Sequence, residues 1–192
     1  MSINPIVVYT DHIVSKTLSY YFAKGSNSSM CHVNNFKYPD KTIATYGYLR
    51  GVGELIKKVK NYYYIDHGYF KQSKRNFTNK TTNIIELDGY FRICFNNYWH
   101  NGVGNKSDDR FKKLGIEFKD LKNKGDYIIL SEPTEDARKY YNLQNWEKET
   151  IKEIKKYSDR KIITHRRGSN IKLEDLLENA WAFVSDHSSA GF

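Results

Sequence analysis

The chain has 192 residues, which is enough for one ordinary domain or two small ones. Its 31 basic and 22 acidic residues give a formal charge of +9, which favours nucleic acid or an anionic substrate as a partner, although a solvated lysine-rich surface explains the charge equally well. Sixteen tyrosines and ten phenylalanines exclude a disordered tail, and the wide separation of the two cysteines indicates neither a zinc site nor a disulfide framework.

The first predicted elements are a strand, a turn and a helix. Residues 6–9 are a compact apolar run, and Asp11 and His12 follow it directly. A helical pattern then covers residues 13–24, and Gly25 is predicted to end the helix.

Two more strands are predicted at residues 41–46 and 61–65, with a short amphipathic helix at 54–60 between them. Strands that alternate with helices indicate a parallel sheet whose polar loops follow the carboxyl ends of the strands. The third strand ends at Asp66 and His67, a second Asp-His pair in an equivalent position. The turn before the helix lacks the third glycine of a dinucleotide fingerprint, so we expect no nicotinamide cofactor.

The middle of the chain is less regular. Residues 71–82 are polar and basic and are predicted to form a loop, residues 90–96 a strand, and residues 99–109 another loop. Residues 111–118 are expected to cross between two lobes. The densest groups of basic residues are Lys57, Lys58, Lys60, Lys71, Lys74, Arg75, Lys112, Lys113, Lys119, Lys122 and Lys124.

A second series of strands and helices begins near residue 125. The strand at 126–130 leaves through Ser131 and Glu132, and Thr134 suits the N-cap of a helix. A helix follows whose apolar positions are Trp146, Ile151, Ile154 and Tyr157.

Two further strands complete this series. The strand at 161–164 leaves through a basic turn made of His165, Arg166 and Arg167, and the closing strand covers residues 181–184. The whole pattern divides into two blocks near residue 120. The predicted fold class is therefore α/β, with two Rossmann-like blocks of which the C-terminal one is incomplete.

Two groups of residues at strand ends are suited to binding phosphate. Arg166 and Arg167 can form bidentate hydrogen bonds with phosphate oxygens, and a solvated loop is the alternative. The turn that follows the closing strand is rich in small polar residues, whose N–H groups can approach an anion closely, and an ordinary strand-exit turn is the alternative. The candidate ligands in that turn are His187, Ser188, Ser189 and Ala190.

Two histidines are candidate bases. His12 follows Asp11 and His67 follows Asp66, and an imidazole beside a carboxylate suits proton transfer near neutral pH. Adjacent residues rarely hydrogen-bond to each other productively, so His12 needs a partner from elsewhere in the chain. The competing interpretation of the first pair is a helix-capping aspartate beside an incidental histidine. The sequence leaves the choice between the two histidines open.

Four short motifs carry a resemblance to a known family. They are Ser131-Glu132-Pro133, His165-Arg166-Arg167-Gly168, the turn at 185–191, and the segment at 62–70. The first three resemble the C-terminal half of GT-B glycosyltransferase-like proteins, in particular a set found in phages and in surface-polysaccharide loci. The fourth is similar to their N-terminal half.

The resemblance implies an acceptor-side lobe at residues 1–120 and part of a donor-side lobe at 121–192. It implies transfer of a sugar from a nucleotide-diphosphate donor to a hydroxyl of a modified DNA base or a polysaccharide. The catalytic candidates are His12, Asp11, His67 and Asp66. The donor-binding candidates are Ser131, Glu132, His165, Arg166, Arg167, His187, Ser188, Ser189 and Ala190. We expect no metal and no tightly bound cofactor, with the nucleotide sugar as co-substrate.

In this family the donor-side helix carries Glu-Ala and, further on, Gly-x-Pro, and the sequence ends at Phe192 before such a helix. We therefore expect a second chain or a downstream segment to complete the lobe. The alternative is an inactive relative that binds nucleotide, nucleic acid or a partner protein. No apolar stretch is long enough for a membrane span and no signal peptide is evident, so we expect a cytoplasmic location, in the host if a phage encodes the protein.

Overall fold

A computed structural model describes residues 4–70, 74–75, 87–100, 107–117, 120 and 124–186. The chain is mixed α/β, and its two larger sheets are mainly parallel. It divides into two compact units, Met1–Leu114 and Gly115–Phe192, and each is described by itself. The boundary falls within the segment that was expected to cross between lobes.

The first unit contains a five-stranded sheet and a small two-stranded sheet. The two strands of the small sheet come between the fourth and fifth strands of the large sheet in the sequence. The strands of the unit are β1 (Ile6–Tyr9), β2 (Met30–His32), β3 (Ile43–Tyr46), β4 (Tyr62–His67), β5 (Lys74–Arg75), β6 (Leu87–Asp88) and β7 (Phe91–Phe95). The order in the large sheet is β2-β1-β3-β4-β7, with four parallel strands and β7 antiparallel to β4. The predicted strands at 6–9, 41–46, 61–65 and 90–96 are confirmed.

One strand of this unit was not predicted, and one predicted loop is wrong in part. Sequence reasoning missed β2, which is three residues long and only partly buried at the sheet edge, so its apolar signal is weak. The loop predicted at 71–82 contains β5, which pairs with β6; the other residues of that loop lie outside the described part of the chain.

The helices of the first unit are α1 (Ile13–Ser26), α2 (Val52–Ile56) and α3 (Asp109–Lys112), with a short 3-10 turn at Val33–Asn35. The prediction that Gly25 ends the first helix is wrong, because α1 continues through Ser26. Asn27 ends it instead, in the left-handed conformation with a φ of 51°, and its N–H bonds to the Ala23 carbonyl. Asparagine tolerates this conformation better than most residues do.

The core of the first unit lies on both faces of the sheet, because successive strand residues point to opposite faces. On the face covered by α2, Val8, Ile43 and Tyr64 pack with Val52 and Ile56. On the other face, Val7 and Ala44 pack with Ala23 of α1, and Val14 and Leu18 of α1 pack with Tyr46 and Phe91. Burial of these alternating side chains fixes which strand residues face each helix.

The second unit holds a three-stranded parallel sheet. Its elements are β8 (Tyr127–Ser131), α4 (Glu135–Tyr141), α5 (Trp146–Ile154), β9 (Lys161–His165), α6 (Leu173–Leu177) and β10 (Ala180–Ser185). The order is β10-β8-β9, so the three strands predicted here are confirmed. No helix in the described residues is long and apolar enough to cross a membrane.

One prediction about the helix ends of the second unit is confirmed and one is wrong. Thr134 caps α4 as predicted, since its hydroxyl oxygen accepts the Ala137 N–H at 3.3 Å. Tyr157 was assigned to the apolar face of a helix, but α5 ends at Ile154 and Tyr157 is 82% exposed. Because Tyr157 lies beyond the end of α5, it is not part of the apolar face of that helix.

Candidate functional site

A cavity of about 360 Å³ opens at the carboxyl ends of β1 and β3 in the first unit. From β1 the chain crosses to β2 on one side, and it then returns to place β3 on the other side of β1. Ligands in open α/β sheets bind in the crevice at such a reversal of strand order. The polar side chains around the cavity include Thr10, His12, Ser15, Tyr48, Arg50 and Asp66.

The turn after β1 places His12 at this cavity. The His12 N–H donates to the hydroxyl oxygen of Thr10 at 3.4 Å, and the Thr10 N–H donates to that of Ser15 at 3.2 Å. Thr10 and Ser15 are buried, so the turn is tied to the first turn of α1. His12 stands in extended conformation directly before that helix, and its side chain makes no capping bond there.

Asp11 faces a different neighbour. Its carboxylate is 90% exposed and lies 3.3 Å from the Nε2 atom of His32, at the end of β2. It does not line the cavity, although it is adjacent to His12 in sequence. Asp11 therefore lies beside His32, and the carboxylate that shares a cavity with His12 comes from β4.

At the end of β4, the side chains of Asp66 and His67 lie on opposite faces of the sheet. Asp66 lines the cavity, on the same face as Tyr64. His67 points to the opposite face, where its Nε2 lies 2.9 Å from the Tyr46 hydroxyl and its ring packs against Phe91. The pleat of the strand places Asp66 in the same cavity as His12 and leaves His67 out of it.

Asp66 is held by three hydrogen bonds. Its carboxylate accepts from the Tyr64 hydroxyl at 3.1 Å, from Nη2 of Arg92 at 3.0 Å, and from the His67 backbone N–H at 2.8 Å. The side chain of Asp66 is 27% exposed, so part of the carboxylate faces the cavity. A carboxylate with about four lone-pair sites can accept one further bond from a ligand hydroxyl.

Arg92 is a site residue that sequence reasoning missed. Its guanidinium lies 5.0 Å from the ring centre of Tyr69 and 4.4 Å from that of Trp99, and its side chain is 9% exposed. The signal was present in the sequence, since an arginine interrupts the apolar strand at 90–96. A buried charge in such a strand needs a partner of opposite charge.

The loop after β3 carries a strained residue at the cavity. Arg50 lines the cavity with a φ of 58°, in a region that residues other than glycine rarely occupy. Gly51 follows with a φ of 87°, which glycine adopts without strain, and it permits the turn into α2. Backbone strain of this kind is concentrated at functional sites.

A second cavity, of about 480 Å³, lies within the second unit at the ends of β8 and β9. Its walls include Glu132, Arg138, Arg166 and Arg167, so three of the predicted donor-binding residues meet there. Glu132 is 4% exposed and accepts hydrogen bonds from Nη2 of Arg138 at 2.8 Å and from Nε of Arg166. The Glu132 carboxylate raises the pKa of the Arg166 guanidinium above its usual value.

This geometry gives Glu132 a different role from the arginines. A carboxylate repels phosphate, so Glu132 positions Arg138 and Arg166 and offsets part of their charge. Arg167 is exposed at the cavity wall.

Ser131 and His165, two further donor-binding candidates, do not line this cavity. Ser131 ends β8 in register with both His165 and Ser185. The Nε2 atom of His165 donates to the Ile171 carbonyl at 3.2 Å, and His165 does not line the cavity. His187, Ser188, Ser189 and Ala190 lie outside the described residues.

No protein-family model matches the chain, and comparisons with curated proteins and with solved structures find no match. The resemblance to GT-B proteins therefore remains a prediction from the motifs. Within the described ranges, no group of three or more histidine, cysteine, aspartate or glutamate residues is arranged to hold a metal ion.

Proposed function

We propose that the chain is a glycosyltransferase-like protein that transfers a sugar from a nucleotide-diphosphate donor to a hydroxyl acceptor. The observation that supports the proposal most directly is that His12 and Asp66 line one cavity at the strand-order reversal of the first sheet. A GT-B arrangement, with the first unit on the acceptor side and the second on the donor side, is part of the proposal.

His12 is the proposed base. Its imidazole takes the proton of the acceptor hydroxyl while the acceptor oxygen forms a bond to the anomeric carbon of the donor. The bond from that carbon to the diphosphate breaks, and the electron pair leaves with the diphosphate. Asp66, fixed by Arg92 and Tyr64, favours the imidazolium that forms and accepts a hydrogen bond from a second acceptor hydroxyl.

The proposed donor-side groups are Arg166 and Arg167. A guanidinium group can donate two parallel hydrogen bonds to the oxygens of one phosphate. Its positive charge also stabilises the negative charge that builds on a departing diphosphate. Arg166 is paired with Glu132, so we propose that it contacts the diphosphate from a fixed position at the cavity. We propose that Arg167, which has an exposed side chain at the same cavity, moves to contact the diphosphate when the donor binds. The acceptor is a modified DNA base or a polysaccharide hydroxyl.

The experiment measures release of free sugar or of a glycosylated acceptor from a panel of UDP- and GDP-sugars. We expect His12→Asn to reduce the rate at least a hundredfold, the usual contribution of general base catalysis. His67→Asn is the matched control, because His67 lies on the other face of the same sheet and we expect its replacement to leave the rate within about twofold. Equal losses in both variants would contradict the assignment of His12.

One observation favours a second candidate function. Glu132 engages both Arg138 and Arg166, which lowers the positive charge available to stabilise a diphosphate as it leaves the sugar, while the exposed Arg167 is still available to contact a bound nucleotide. A non-catalytic relative that binds nucleotide without turnover fits that arrangement. Calorimetric titration with UDP and GDP that shows binding, together with no turnover of any donor, would select this function over sugar transfer.

A further inference from the structure

The first unit has a second polar surface, at the edge of the sheet opposite the cavity. Strands β3 and β4 begin side by side, since Ile43 and Tyr62 are register partners and the Ile43 N–H donates to the Asn61 carbonyl at 3.2 Å. The segments that lead into these two strands therefore meet at the amino-terminal edge of the sheet. The cavity lies at the carboxyl ends of the same strands.

Five lysines lie in these two segments. Lys37 and Lys41 precede β3, and Lys57, Lys58 and Lys60 lie between α2 and β4. All five are exposed. We call this set, together with Tyr38, the lysine edge. Three of its lysines belong to one of the densest basic groups of the sequence, and the proposed sugar transfer uses none of them.

Two carboxylates accompany these lysines in the same segments and in α2. Asp40 is exposed in the turn before β3, and Glu54 accepts a hydrogen bond from Nζ of Lys57 at 2.9 Å. Five cations with two anions leave a clear excess of positive charge. A lysine surface of this kind attracts a polyanion and releases the counterions condensed on it.

Tyr38 adds an aromatic surface between two of the lysines. Its side chain is 53% exposed, although one edge of the ring meets Phe36 at a centroid distance of 6.0 Å. The Tyr38 carbonyl accepts the Lys41 N–H at 3.1 Å, so a closed turn fixes the backbone that carries the ring. An exposed tyrosine offers a π face on which an unpaired base can stack.

We propose that the lysine edge binds single-stranded nucleic acid, with the lysines contacting phosphates and Tyr38 stacking on a base. Charge alone would serve any polyanion, including a sulfated polysaccharide or an anionic membrane. The exposed ring favours single-stranded nucleic acid, because every unpaired base offers a planar π face on which a tyrosine can stack. Duplex DNA keeps its bases stacked on each other, so it gains the phosphate contacts without the stacking contact. The proposal does not depend on the proposed sugar transfer.

The test measures fluorescence anisotropy of a labelled oligodeoxythymidylate of about 20 nucleotides between about 50 and 200 mM salt. The variant Lys41→Gln/Lys58→Gln/Lys60→Gln removes three charges from the lysine edge. We expect the slope of log Kd against log salt concentration to fall by about 2, since each single-strand phosphate contact contributes about 0.7. The control Lys148→Gln/Lys152→Gln/Lys172→Gln removes three exposed charges from the second unit, and we expect its slope to match that of the unchanged chain.

The variant Tyr38→Leu tests the stacking contact. We expect it to weaken binding to the single strand about tenfold and to leave binding to a duplex of equal length unchanged. Thermal unfolding of each variant shows that it is folded. His12→Asn should bind the oligonucleotide normally, so failure of the sugar-transfer proposal and failure of this one remain distinguishable.

Three results would overturn the proposal. The first is no binding to the oligonucleotide at the lowest salt concentration. The second is an equal loss of slope in the control triple variant, which would indicate attraction by net charge alone. The third is an affinity unaffected by Tyr38→Leu and matched by heparin or by phosphatidylglycerol vesicles, which would indicate a general anionic surface.

Discussion

Arg92 donates a hydrogen bond from Nη2 to Oδ2 of Asp66 at 3.0 Å, and the arginine side chain is 9% exposed. A buried ion pair is a weak source of stability, because removing both charges from water costs much of what their attraction returns. The pair lies beside the cavity that Asp66 lines. We therefore expect the pair to hold the Asp66 carboxylate in place at the cavity, and to add little to the stability of the sheet.

Removing the arginine tests how strongly the pair is coupled. We expect Arg92→Met to lower the free energy of unfolding by about 2 kcal/mol, because Asp66 then loses a charged partner in a partly buried place. Urea unfolding measures the change. The double variant with Asp66→Asn should show a coupling energy of at least about 1 kcal/mol. Strict additivity of the two single changes would contradict the coupling.

Two glycines should respond in opposite directions to the same substitution. A Cβ on Gly125 would overlap the backbone nitrogen of Trp181 and lie 2.7 Å from the carbonyl carbon of Ala180, so Gly125→Ala forces β10 away from the chain entering β8. We expect a loss of about 2–3 kcal/mol. Gly25 lies inside α1 with open space around its Cβ position. Gly25→Ala should raise stability by about 0.5–1 kcal/mol.

Thermal unfolding of both variants checks this pair of expectations. The Gly25→Ala result also tests the corrected end of α1. If Asn27 and not Gly25 ends the helix, alanine at 25 is tolerated and the melting temperature rises. A decrease would place the left-handed residue at 25 instead.

The two arginines that share Glu132 should differ in their effect on stability. Arg138 is 24% exposed and Glu132 is 4% exposed, so Arg138→Ala leaves a buried carboxylate with less compensation and should cost about 1–3 kcal/mol. Arg166 is 70% exposed, and its replacement should change stability much less. Urea unfolding of the two alanine variants gives the comparison. Equal losses would show that both guanidiniums are needed to hold the carboxylate.

Tyr62 should make stability fall at high pH. Burial, together with the nearby hydroxyl of Tyr98, raises the pKa of Tyr62 from 10.0 to about 12. The folded state therefore keeps a proton that the unfolded state loses between about pH 10 and pH 12. The contribution of this proton is fully present below pH 10 and disappears as the pH rises through 12. Unfolding of Tyr62→Phe across this range should show a flatter pH dependence than the unchanged chain.

Cys94 should resist alkylation in the folded protein. The side chain is buried at 4% exposure, and burial is the main cause that raises the pKa of its thiol. Only the thiolate reacts, so both access and ionisation are limited. Cys31 is partly exposed and serves as the internal comparison. Mass spectrometry after brief treatment with iodoacetamide should show modification at Cys31 first, and equal rates would show that β7 opens readily.

The strands were predictable from the sequence because buried parallel strands are short apolar runs between polar turns. The runs at 6–9 and 126–130 illustrate this, since each is a continuous apolar segment in a polar chain. The edge strand β2 was not predictable, because at the edge a three-residue strand needs little apolar surface. The true end of α1 was missed because Gly25 and Asn27 both satisfy the local rules for a helix end.

By itself the sequence determined that two series of strands and helices follow one another and that His12, Asp66 and Arg166 stand at strand ends. Local patterning is enough for that, because it depends on neighbours in the chain. Only the tertiary structure decided that Asp66 faces the cavity while His67 faces α1, and that Arg92 pairs with Asp66 from a strand 26 positions later. Those outcomes depend on strand order and register, which long-range packing sets.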